Sequence, residues 1–171
     1  MRFQRIALAV ALTVCIGGAA AQQPQQAQQQ QAQQQQQQQP TQQLTPEQQQ
    51  QLQRQDAEMT RAAQQIVQMI DANRTGEVWE MATEEVKRMV PRDSFVQQIT
   101  TDRARLGAPG SRGNAVVSRS QFQAGGEVPE GLYINVAFPT TFANNAEPVR
   151  ELVSFRLDED KVWRVSGYSL R

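Results

Sequence analysis

Arg156 and Arg164 flank a short acidic segment, Asp158-Glu159-Asp160, and a hairpin through it sets the two guanidinium groups opposite each other. Like charges directly opposite in a sheet repel. Such a pair persists where it is solvated, where acids neutralise it, or where it holds an anion or an acidic partner. Arg150 extends the same face, and Tyr133, Asn135 and Tyr168 are expected beside it. These six residues form a candidate interaction facet. Acid–base chemistry has thinner support. Glu151 is the one ionisable residue expected on the apolar face of the sheet, and a lone carboxylate near a strand start reads as a rim group rather than a general base. Glu84 and Glu85 are neighbours on a helix, so their side chains diverge by about 100° and read as a solvated face. No catalytic residue is assigned.

Composition narrows the chemistry further. The chain has 171 residues, no His, and a single Cys, Cys15. Zinc sites, Cys–His nucleophiles and Ser–His–Asp triads are therefore excluded, and no metal or cofactor is implied. Lys+Arg and Asp+Glu are both 17, giving a formal net charge of zero. A nucleic-acid-binding domain is usually strongly basic, so no nucleic-acid partner is expected. No apolar run is long enough for a spanning helix.

The elements that must position the facet follow from hydrophobic period. Thr45-Pro46-Glu47-Gln48 reads as a helix start, with Thr45 as cap, Pro46 in the first turn and Gln48 closing a capping box. The first helix is expected to reach Asn73, with Leu52, Met59, Ala62, Ala63, Ile66, Met69 and Ile70 on one side. A second is expected over Glu77–Met89, and a third from Pro91 to Gly107 carrying Phe95, Ile99 and Leu106. Residues 107–111 read as a loop. Four strands follow: Asn114–Phe122, Leu132–Phe138, Val149–Leu157 and Val162–Leu170. Pro139 should end its strand or mark an edge. Their short connections make the strands antiparallel. A three-residue loop over Glu159–Lys161 pairs Leu157 with Trp163, Phe155 with Val165 and Val153 with Gly167, which keeps apolar against apolar. Trp163 is then a core anchor, and Tyr168 lies on the outer face with the arginines. The fold class is α+β, about three N-terminal helices packed on a curved antiparallel sheet of about four strands.

Two segments precede this domain, which is expected over residues 45–171. Residues 1–21 have the three parts of a secretory signal: Arg2 and Arg5, an apolar run from Ile6 to Ile16, and Ala19-x-Ala21 before the expected cleavage. Val14 stands before Cys15 where a lipid-attachment signal would carry a smaller residue. Residues 22–44 are dominated by Gln and hold almost no apolar side chain, which describes a disordered tether with a reach of roughly 25 Å. The expected location is the periplasm or the medium.

The strand motifs also carry a resemblance. Gly131-Leu132-Tyr133 leading into Phe138-Pro139-Thr140-Thr141-Phe142, together with Trp79, Arg105-Leu106-Gly107, Glu151 and the closing Trp163-Arg164-Val165-Ser166-Gly167-Tyr168, resembles the bacterial domain-of-unknown-function 4019 family over roughly residues 57–171. The resemblance implies an exported protein with helices wrapped on a curved sheet, similar to nuclear transport factor 2-like and cystatin-like folds. It implies no activity. Two departures stand out: no Trp lies near Phe95–Ile99, and Lys161 occupies a turn position that Gly would ease. Two functions fit. One is a non-catalytic binding or interaction domain of the cell envelope on a Gln-rich tether, whose partner is an acidic envelope protein or a second copy. The other is a small cone-pocket enzyme, isomerase- or dehydratase-like. Two or more buried ionisable groups within hydrogen-bond reach in the pocket would favour the enzyme; an apolar or filled interior would favour the binding domain.

Overall fold

Thr45 starts the first helix as its sequence dictates. Its hydroxyl accepts from the Gln48 backbone N–H at 3.3 Å, and the Gln48 side chain accepts from the Thr45 N–H at 2.9 Å. The computed structural model describes residues 44–171. The expected signal segment, and the Gln-rich segment up to residue 43, lie outside the described residues. Helix α1 spans Pro46–Asp71, and Asn73 takes a left-handed conformation (φ 57°) that turns the chain out of it. Asn pays little for that conformation because its short side chain bonds locally.

The expected second helix is two. Helix α2 covers Thr75–Glu80 and helix α3 covers Glu84–Met89. The residues between them are used elsewhere. Thr83 N–H donates to Val165 at 2.9 Å, and Val165 N–H donates to Met81 at 3.3 Å, forming a short parallel bridge at Ala82. Those bonds pin the edge of the last strand at Val165. Thr83 then caps α3 through the Val86 N–H. Helix α4 runs Arg92–Leu106 and ends at Gly107, whose φ of 80° suits glycine.

Five strands form one antiparallel sheet: β1 (Pro109–Arg112), β2 (Val116–Phe122), β3 (Gly131–Phe142), β4 (Asn145–Leu157) and β5 (Trp163–Leu170). β3, β4 and β5 are successive neighbours, and β1 and β2 share the other side of β3. β1 lies in the segment expected as a loop. Pro139 neither ends β3 nor sits on an edge. Its carbonyl accepts from Gly113 in the break between β1 and β2, so its missing N–H falls where no acceptor strand runs. The α+β class holds, with four helices and five strands among the described residues.

The core lies between α1 and the inner sheet face. Met59, Ala63, Ile66, Val67 and Ile70 from α1 meet Ile134, Val136, Phe138, Val153, Phe155 and Val165. Each large aliphatic side chain buried there contributes about 1.5–3 kcal/mol.

The β4–β5 hairpin keeps the expected pairs Leu157–Trp163, Arg156–Arg164 and Phe155–Val165. It then departs. Ser154 pairs with Gly167, so Ser166 is an extra residue, a bulge, and Val153 pairs with Tyr168 instead of Gly167. Beyond the bulge every side chain changes face. Tyr168 points inward, not to the outer face where sequence alternation places it. At the hairpin tip Lys161 adopts φ 63°, a left-handed conformation that strains a residue with a Cβ. Lys161 is exposed, so its side chain offers little compensation. Lys161→Gly should therefore stabilise the domain by about 0.5–1 kcal/mol in urea denaturation; a loss of stability would mean the lysine does something in the turn beyond filling it.

Candidate functional site

Three charged residues continue apolar stripes. Asp71 follows Ala63 and Val67 at helical spacing on α1, and Arg103 follows Phe95 and Ile99 on α4. Glu151 alternates with Val149 and Val153 on β4. Their stripes face the core, so the charges converge there. Arg112 joins them from the end of β1.

Glu151 is fully buried, with 0% of its surface exposed. Its Oε2 accepts from Arg112 Nε at 2.6 Å and from Thr140 Oγ1 at 2.8 Å. Its Oε1 accepts from Tyr168 OH at 2.7 Å, Arg103 Nη1 at 3.0 Å and Arg112 Nη2 at 3.2 Å. Asp71 closes the ring. Arg112 donates to its two oxygens at 2.7 and 2.9 Å, and Arg103 Nη2 donates to Oδ1. The Arg103 guanidinium also stands 5.1 Å from the centre of the Phe142 ring. Two guanidinium groups against two carboxylates make the cluster neutral.

Sequence reading takes Glu151 for a rim carboxylate. It is instead the most enclosed charge described. Five hydrogen bonds occupy its lone pairs, leaving none directed at a substrate proton. Burial, and then the neighbouring Glu151 carboxylate, hold the Tyr168 phenol well above its ordinary value; Arg103 opposes this. Hydrogen bonds and charge from Asp71 and Glu151 raise the Arg112 guanidinium against the opposing effect of burial.

The six facet residues do not form one site. Tyr168 belongs to the inner cluster. Tyr133 and Asn135 are on the outer face, yet Tyr133 is 7% exposed, donates to the Pro129 carbonyl at 2.8 Å and meets Phe122 edge-on. Asn135 accepts from Ser154 at 2.7 Å. Arg150 is exposed and lies six residues from Arg156, about 20 Å along the strand. Arg156 and Arg164 are adjacent, and acids neutralise them: Arg156 reaches Glu85 at 3.2 Å and Asp158 at 3.4 Å, and Arg164 reaches Asp158 at 3.1 Å and Asp160 at 2.7 Å. The Arg164 hydrogen bond holds the Asp160 carboxyl down to about 2. Arg156 also donates to the Glu130 carbonyl at 2.7 and 3.0 Å.

The open feature lies at the other end of the inner face. Helix α1 rises over the sheet there, and a cleft of about 490 Å³ remains beneath it, lined by Gln55, Arg119, Leu132, Ile134, Leu157 and Trp163. Trp163 is partly buried: it packs against the core, as expected, and its remaining surface forms a wall of the cleft. The single charge in that lining, Arg119, is engaged by Asp56 at 2.6 Å and Gln55 at 2.8 Å. None of the four clustered charges lines this cleft. Among the described residues no group of three or more His, Cys, Asp or Glu is arranged to hold a metal ion, and no helix is long and apolar enough to cross a membrane.

A family model described as a protein of unknown function (DUF4019) matches residues 62–168. Comparison with curated proteins and with solved structures gives no match.

Two outcomes follow from the cluster. Glu151→Ala leaves two enclosed guanidinium groups sharing one carboxylate, and should cost about 3–5 kcal/mol in chemical denaturation. Arg105→Ala, exposed on the same helix as Arg103, should change stability by less than about 0.5 kcal/mol. Equal losses would show that the cluster is not special. The second outcome is optical. The chain has two tyrosines, and burial raises both Tyr133 and Tyr168 above the ordinary value of 10.0. A raised folded-state value contributes stability that is complete below the unfolded value and is lost as pH climbs above it. At pH 10 tyrosinate absorbance of the folded protein should lie below that of the urea-unfolded chain, whose phenols titrate at the ordinary value. Folded absorbance equal to the unfolded level at that pH would place the phenols in water.

Proposed function

Because the chain belongs to the DUF4019 family, described as being of unknown function, we propose from its own geometry that it is an exported, non-catalytic binding domain carried on a Gln-rich tether. Its ligand sits in the cleft beneath α1. The observation that carries this reading is the lining. Leu132, Leu157 and Trp163 supply an apolar wall that helices leave partly uncovered, with the buried Ile134 at its base, and Leu132 is 46% exposed in it. Gln55 supplies a neutral polar contact at the rim. The volume is within the usual range for small-molecule sites. The fitting ligand is neutral and largely apolar, because the one arginine present already has its carboxylate.

An enzyme of the cone-pocket kind has one feature in its favour. Ionisable groups do meet within hydrogen-bond reach inside the domain, at Asp71, Arg103, Arg112 and Glu151. They are spent on one another and stand apart from the cleft. The cleft itself holds no free acid or base, and general acid–base catalysis needs one within reach of the substrate. The outer arginines give an acidic partner little to grip, since Glu85, Asp158 and Asp160 already hold them. Export rests on the signal-like segment 1–21, with the periplasm or the medium as destination.

The test uses protein recovered from the cell envelope or medium. Its mass should place the first residue at Gln22. It should bind the neutral apolar dye N-phenyl-1-naphthylamine with a rise in dye fluorescence. Leu132→Arg should weaken that binding about 10- to 100-fold at an unchanged melting temperature. Full-length protein confined to the cytosol removes the export part of the reading. Dye binding that ignores Leu132→Arg, or no dye binding at all, removes the cleft.

A further inference from the structure

The two edges of the sheet are treated differently. β5 is bridged at Val165 by Met81–Thr83 and broken by the bulge at Ser166. β2 pairs with β3 on one side and, among the described residues, has no strand on the other. Uncovered edges commonly carry a proline, a bulge or a lysine that blocks pairing. β2 reads Val116-Val117-Ser118-Arg119-Ser120-Gln121-Phe122, with no proline, bulge or lysine; its one charge, Arg119, points to the inner face, where Asp56 and Gln55 hold it, and its register to β3 is unbroken over all seven residues.

The direction of its free backbone groups can be worked out. In a strand, N–H and C=O of one residue point to the same side, and successive residues alternate. The Pro139 carbonyl points toward Gly113, on the β1–β2 side. Counting back by twos, Ala137, Asn135, Tyr133 and Gly131 face β2. Their partners Val116, Ser118, Ser120 and Phe122 are therefore bonded to β3. That leaves Val117, Arg119 and Gln121 presenting N–H and C=O outward, with no backbone partner among the described residues.

We infer that this edge pairs with the same edge of a second copy, antiparallel, about a two-fold axis at Arg119. Three outward residues centred on Arg119 are self-complementary under that axis. Arg119 bonds its own counterpart, and Val117 bonds Gln121 of the second copy and the reverse, so all six outward groups are used. No other centre on the strand uses all six within β2. The side chains agree with this choice. Val116 and Phe122 are 64% and 37% exposed on the outer face, three residues either side of the axis, and the pairing sets each against the other. Ser118 meets Ser120. The two arginines at the axis face each other already neutralised, because each is held by Asp56 of its own α1. The product is one continuous sheet of ten strands.

The experiment is analytical ultracentrifugation of the full exported chain across a micromolar concentration series. Wild type should show a dimer. Gln121→Pro removes two of the six donors and acceptor contacts at the axis without touching the ladder to β3, and should weaken the dimer about 10- to 100-fold at an unchanged melting temperature. A second measurement fixes the register independently of that variant. In the exported chain, which with the proposed cleavage starts at Gln22 and so lacks Cys15, chains with Ser118→Cys mixed with chains with Ser120→Cys should form a disulfide-linked mixed dimer, because these positions are directly opposite. A wild type that stays monomeric throughout, a dimer untouched by Gln121→Pro, or no mixed cross-link each overturns the proposal and gives the edge to an extended peptide or to solvent.

Discussion

A carboxylate enclosed on the apolar face of a sheet constrains everything near it. Glu151 has lost its water, and only matched charge can replace it. One guanidinium would neutralise it. Two are present, from Arg103 and Arg112, so a second carboxylate is required, and Asp71 supplies it. Each partner arrives on a different element. The end of α1, the last turns of α4, β1, β3 through Thr140, β4, and β5 through Tyr168 are all held to positions that satisfy one side chain. The Ser166 bulge belongs to the same requirement, because without it the Tyr168 hydroxyl would leave Glu151 and face solvent. Its local cost is visible: the Ser166 hydroxyl is buried without a hydrogen-bond partner.

The inner face of the sheet is thus divided along its length. At one end the polar cluster fills the space between helices and strands. In the middle α1 packs on Ile134, Val136, Val153 and Phe155. At the far end the helix continues but the packing thins, leaving Trp163 and Leu132 in contact with the cleft. Order at one end and openness at the other follow from where the charges stand. Groups locked into a neutral ring cannot also serve a ligand, so the proposed binding uses the uncommitted apolar end and the proposed pairing the bare strand edge.

Much of this architecture is legible in the residues. Thr45 and Gln48 announce the helix start. The hairpin pairs from Arg156–Arg164 through Leu157–Trp163 follow from matching apolar with apolar. Lys161 is strained as its turn position implies. The misplaced Tyr168 has one physical source, a single inserted residue. Alternation carries no mark of the Ser166 bulge, and so puts Tyr168 on the wrong face and hides its bond to Glu151. Part of the cluster had a readable signal. Asp71 and Arg103 continue apolar helical stripes, and Glu151 an apolar strand stripe; core-facing charges of opposite sign must meet. Arg112 had none, because it sits among Gly and Ser in what reads as a loop. The split between α2 and α3 was equally hidden, since Met81–Thr83 leave the helix to bond a strand that comes more than eighty residues later.

The clustered charges are also far apart along the chain. Their partners are separated by 32, 39, 41, 48 and 65 residues. Closing such long loops costs chain entropy before the contacts return any energy, which disfavours making them early. Energy gained after the transition state leaves the folding rate alone and slows unfolding. The four charges therefore act in time as a lock: they do little to hasten the domain into shape and much to lengthen its stay there.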